Sequence, residues 1–148
     1  MDDHLLSKLM RVAKQITRAE RAMVVDMQLN VLDTLNIEPS ILNSAHFRDV
    51  AIASLRRALD RNESIITNNI ITDPAQAPVT NTNFTDLRVV VVLPVLEHGA
   101  VYLDQHIRYG IIPRQTIDKL MRLVKEVLES ESLDQDEEDL TAMYQQMN

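Results

Sequence analysis

The stretch that most constrains this chain is LRVVVVLPVLEHGAVYLDQHI, Leu87 to Ile107. Two apolar runs rich in valine flank Glu97, His98 and Gly99, the pattern of two buried strands joined by a short turn. Pro94 lies inside the first run, and a proline removes one backbone donor from any ladder it joins. A fold that places such a hairpin late in the chain needs earlier strands to pair with it and helices to cover it. At 148 residues there is length for one domain with a sizeable core.

Those partners are legible upstream. In residues 3–20, Leu5, Leu9, Val12, Ile16 and Ala19 recur at helical spacing, with Lys8, Arg11, Lys14 and Arg18 off the stripe. RAMVVDMQLNVLDTLNI, Arg21 to Ile37, reads as a hairpin turning near Met27–Asn30. A second helix follows, N-capped by Asn43 or Ser44, with Phe47, Val50, Ala51, Ser54, Leu55, Ala58 and Leu59 on one face. Arg56, Arg57 and Arg61 fall near its C-terminal end, where the helix dipole favours cations. SIITNNIITDP opens a strand that runs into a polar loop over residues 72–86. After the late hairpin, Pro113 starts a closing helix with Ile117, Leu120, Val124 and Val127 as its stripe. The order predicts an α+β fold: a central antiparallel sheet between helices, the terminal helices on one face and the middle helix on the other.

Composition excludes several functions. There is no cysteine, which removes disulfides, thiolate metal sites, cysteine nucleophiles and iron–sulfur clusters. With only Gly99 and Gly110, no glycine-rich phosphate cradle can be built. His4, His46, His98 and His106 are scattered, and none forms an i, i+4 pair. Asp104 and His106 share one face of a strand, yet no nucleophile or third partner accompanies them, so a polar strand end is the expected reading and the chain is not expected to be an enzyme. Residues 1–128 balance their charges, and the net −7 comes from seven acids in residues 129–148. That makes a nucleic-acid partner unexpected and predicts an acidic tail or linker over residues 131–148, after a domain at 1–130. No apolar run reaches the length of a membrane span, and the start is acidic rather than signal-like, so a cytoplasmic location is the expectation.

The order of elements, with RAMVVDM after a long first helix, SIITNNIITDP, and then DLRVVVVLPVLEHGAVYLDQ, resembles the GAF domain family over roughly residues 3–130. Pro94, Gly99 and Ala100–Asp104 stand where that family has a strand-ending proline, a glycine and a strand often written G-V-L-Y-L-D. The resemblance implies a sensory or regulatory domain in a bacterial-type regulator, with a small-molecule pocket between sheet, middle helix and polar loop. It also implies terminal helices that pair into a homodimer or join neighbouring signalling modules. Binding would favour one arrangement of those helices. Bilin-binding, methionine-sulfoxide-reducing and iron-based nitric-oxide-sensing members use cysteine and are excluded. Asn83, Phe84 and Asp86 only partly echo the signature of cyclic-nucleotide binders. No resident cofactor or metal is expected, and a small-molecule or nucleotide ligand stays open. Its candidate contacts are Asn69, Asp73, Asn83, Phe84, Arg88 and Tyr102. The candidate dimer contacts are Leu5, Leu9, Val12, Ile16, Ile117, Leu120, Val124 and Val127. The alternative is an interaction module whose pocket is filled by its own side chains.

Overall fold

The computed structural model describes residues 3–70, 87–130 and 135–147. Helix α1 (Asp3–Thr17) leads into β1 (Arg21–Asp26) and β2 (Val31–Leu35), then a short α2 (Pro39–Leu42) and α3 (Ala45–Arg61). Strand β3 (Ile65–Ile70), the hairpin β4 (Leu87–Val95) and β5 (Gly99–His106), then α4 (Arg114–Glu129) and α5 (Glu137–Gln146) complete the order. The strands form one antiparallel sheet in the order β2-β1-β5-β4-β3. The late hairpin thus lies inside the sheet, with β1 beside β5 and β3 beside β4.

Period-two alternation assigns each strand residue to a layer. Ala22, Val24, Val89, Val91, Leu93, Val101 and Leu103 face α1, α4 and α5. Met23, Val25, Val90, Val92, Ala100 and Tyr102 face α3, whose Phe47, Ala51, Leu55 and Ala58 cover them. The predicted architecture is therefore the observed one. Helix α3 begins where Ser44 Oγ accepts the Phe47 N–H at 3.3 Å. It ends at Asn62, whose left-handed backbone (φ 51°) lets its N–H reach the Ala58 carbonyl.

The two residues that punctuate the hairpin have physical roles. Pro94 pairs with Ala100, two positions beyond Val92, the β4 partner of the first β3 residue. Its missing N–H falls where β4 has a neighbour on one side only. Gly99 holds φ at +152°, and a Cβ there would lie 1.9 Å from the Val25 carbonyl oxygen, so only glycine lets β5 approach β1 this closely.

Two features depart from expectation. The stripes on α1 and α4 are spent within one chain: Leu5, Leu9, Val12, Ile117, Leu120, Val124 and Val127 are buried, with Ile16 packed beside them. The segment read as an acidic tail carries α5, which packs on α1 and α4 through Leu140. Its acids have local work. The Asp136 carboxylate accepts the Asp139 N–H at 2.8 Å, and Asp139 accepts the Asp136 N–H at 3.3 Å. Glu137, Glu138 and Asp139 fill a first turn where negative charge suits the dipole.

Candidate functional site

At one end of the α3 face, the apolar alternation is interrupted by charge. Arg21 opens β1 and sits opposite Asp104 of β5, which in turn sits opposite Val90 of β4. Arg21 grips Asp104 with two bonds, Nε to Oδ1 at 2.7 Å and Nη2 to Oδ2 at 2.8 Å. Tyr102 donates its hydroxyl to Asp104 Oδ2 at 2.7 Å, and Arg88 reaches Asp104 Oδ1 at 3.2 Å. Asp104 is 0 % exposed and Arg21 9 %. A buried carboxylate is tolerable only when its lone pairs are taken, and here four donor bonds take them.

Glu20 closes the cluster from the α1–β1 connection. Its Oε1 accepts Arg88 Nη1 at 3.1 Å and the His106 N–H at 2.6 Å. Two guanidinium groups thus meet two carboxylates, and the cluster is neutral. Phe47 of α3 roofs it, with the Arg21 guanidinium 5.4 Å from its ring centre and Tyr102 meeting the same ring edge-to-face at 5.8 Å.

Titration follows from these contacts. Burial pushes the Tyr102 phenol well above its ordinary range, and the neighbouring Asp104 charge adds to the push, so Tyr102 keeps the proton that it donates to Asp104. Burial alone would raise Glu20, but the His106 N–H and the Arg88 charge together outweigh it and hold the carboxyl below its usual value. Burial likewise works against the Arg21 charge, and the bonds to Asp104 more than offset it. Together these contacts keep the Tyr102 phenol protonated and favour the charged forms of Glu20 and Arg21. His106, the other member of the possible dyad, turns its Nδ1 to accept the Arg108 N–H at 2.9 Å and caps the turn after β5. Among the described residues no group of three or more histidine, aspartate or glutamate side chains could hold a metal ion.

Of the candidate ligand contacts, Arg88 and Tyr102 are brought together, through Asp104. Asn69 pairs with Arg88 across β3 and β4. Asp73, Asn83 and Phe84 lie outside the described residues. The candidate dimer contacts are in the protomer's own core, and the outward positions of the same helices are polar: His4, Arg11 and Gln15 on α1, Asp118, Arg122 and Lys125 on α4. Glu20 and Arg21 are not among the candidates. Their signal is a charged residue at the start of an apolar strand, matched by Asp104 in a second one; two such charges imply each other.

Beyond Phe47, a cavity of about 220 Å³ runs between α3 and the β1–β2 turn. Met23, Val25, Leu42 and Leu55 line it, with Asn30 and Arg48 at its polar side.

No family model matches the sequence, and no curated protein matches it significantly. Solved structures do share its fold. The GAF domain/HD domain protein from Geobacter sulfurreducens superposes with a TM-score of 0.58 at 14 % identity, over 98 % of this chain and 94 % of that one. MglB in a tetrameric arrangement gives 0.45 at 15 % identity, over 85 % of each chain. The gliding protein MglB from Thermus thermophilus gives 0.45 at 13 %, over 97 % and 91 %. At 14 % identity the first of these is a likeness of fold alone: this chain shares the α+β architecture of that protein.

Proposed function

We propose that this chain is a non-catalytic regulatory domain that works by contact with another protein, its ligand-side space filled by its own side chains. The observation that carries the reading is the Arg21–Asp104–Arg88–Glu20 cluster under Phe47 and Tyr102. It fills one end of the space between the sheet and α3 with the chain's own side chains. Both described side chains that are candidates for an effector, Arg88 and Tyr102, are bonded within it.

The test is native mass spectrometry of the purified protein, followed by a thermal-shift panel of nucleotides and metabolites. The expected result is the bare chain mass and no rise in Tm with any compound. A defined retained mass, or a rise of several degrees with one compound, would overturn the reading.

A small effector is the second reading, favoured by the cavity of about 220 Å³ beside Phe47. That volume is below the roughly 300–1,000 Å³ of ordinary ligand sites. Arg48, its charged member, already donates to the Leu42 carbonyl at 3.0 Å. Self-association through the terminal helices is a further proposal, and it would have to use their polar outward faces, since the apolar stripes are buried.

A further inference from the structure

A groove of about 560 Å³ follows β3, the outermost of the described strands on its side of the sheet. Arg57 and Arg61 of α3 flank it on one side, and Ile111, Ile112 and Arg114 at the start of α4 on the other. Because α3 and α4 belong to opposite layers, the groove lies along the sheet's edge, with Ile65, Ile66 and Thr67 as its floor.

Three arginines face a single acid, Glu63, in this lining. The helix dipole accounts for Arg61, in the last turn of α3. It does not account for Arg114, the first residue of α4, where the dipole is already positive and a cation adds to it. Apolar surface accompanies the charge. Ile111 is 67 % exposed, and Tyr109, on the same connection, is 57 % exposed with Arg108 stacked 4.9 Å from its ring. An excess of arginine around exposed apolar surface, with a further tyrosine–arginine pair on the same connection, is closer to the composition of an interface than to an ordinary solvated surface.

We propose that this groove receives an extended acidic segment of a partner protein, laid along the outer edge of β3. Its carboxylates meet Arg57, Arg61 and Arg114, and its apolar side chains pack against Ile65 and Ile111. The apolar floor and rim supply packing, and the arginines supply the choice of partner. A second copy of this chain fits worse, because two β3 edges would bring two sets of arginines face to face. The proposal rests on the protein-contact reading above and names the partner's chemistry.

The probe is a short fluorescent peptide alternating glutamate and valine, titrated into the full chain and followed by anisotropy. A lysine–valine peptide is the control. The expected result is saturable binding of the acidic peptide alone, weakened by salt, with amides of β3 gaining protection from hydrogen exchange. Arg57→Glu with Arg114→Glu should weaken it at least about tenfold through like-charge repulsion. Both positions are exposed, and unchanged urea unfolding of the double variant would show that the fold is kept. Absent or charge-blind binding, or binding indifferent to the double variant, would overturn the proposal. So would sedimentation showing a dimer that protects β3 without peptide. A retained small molecule in the mass spectrum would instead count against the protein-contact reading, which makes the two failures distinguishable.

Discussion

The two faces of this one sheet are buried by different means. Toward α1, α4 and α5 the strands present valine, leucine and alanine, and the helices answer with leucine, isoleucine and valine. Among the described residues, the one polar strand side chain buried there, Gln105, sits at the rim and donates to the Gly110 carbonyl at 2.7 Å. Toward α3 the same strands are apolar for most of their length and then carry two arginines and one carboxylate, with a second carboxylate, Glu20, added from the α1–β1 connection. The first face is held by area, so its losses are graded with the atoms removed. The second is held by completeness, since each charge is tolerable only while its partners remain.

The largest expected effect breaks the second face. Asp104→Ala leaves Arg21 without its buried counter-charge and should cost about 3–5 kcal/mol, read as a lower urea midpoint at an unchanged slope. Arg21→Met and Asp104→Leu together with Tyr102→Phe should recover most of that loss, because the pair and the hydroxyl it held are replaced by packing and Arg88 keeps Glu20. A loss below about 1 kcal/mol for Asp104→Ala would show that water serves the cluster and that the two faces are alike.

The apolar face should answer in proportion. Leu120→Ala removes a buried side chain against the sheet and should cost about 3 kcal/mol, whereas Ile117→Val should cost about 1 kcal/mol. A steep loss for the small change would mean that this face, too, depends on a unique fit. Smaller again is the cap of α5. Asp136→Ala should cost about 1 kcal/mol and expose the amides of residues 137–146 to exchange before the rest. If α5 exchanged no faster than before, its hold on α1 and α4 through Leu140 would be sufficient without the capping box.

The faces also differ in how well they can be read from sequence. Stripes on α1 and α4 and the unbroken apolar run Val89–Val92 predict closely which segments are buried, since apolar patterning is the direct imprint of burial. What periodicity does not say is which surface buries a stripe. Leu5, Leu9, Ile117 and Val124 are as suited to a helix pair as to a sheet, and their place against β4 and β5 is decided only in three dimensions. The charged cluster is harder still. Arg21 and Asp104 are 83 positions apart, and they meet because β1 pairs with β5, a pairing that no local pattern encodes. Helix α5 is hidden by its own acids, which read as a solvated run until Asp136 and Asp139 are recognised as a cap.

The smallest effect sharpens the comparison through pH. Glu20 is the cluster's half-buried rim, and its carboxyl is held below the ordinary glutamate value of 4.5 by the His106 N–H and Arg88, which together outweigh the opposing effect of burial. A lowered folded-state pKa means that the unfolded chain binds the proton more readily. Its stabilisation is therefore fully present above the unfolded value and is lost as pH falls through the lower, folded one. Glu20→Gln should leave the neutral-pH stability lower by no more than about 1 kcal/mol, because the pair is partly solvated and screened. It should also flatten part of the acid-side decline between the two pKa values, as measured by urea unfolding across that range. High salt should shrink the difference. If wild type and Glu20→Gln declined in parallel on acidification, Glu20 would not be a titrating member of the cluster. The rim would then behave as solvated surface, and the α3 face would rest on the buried Arg21–Asp104 pair alone.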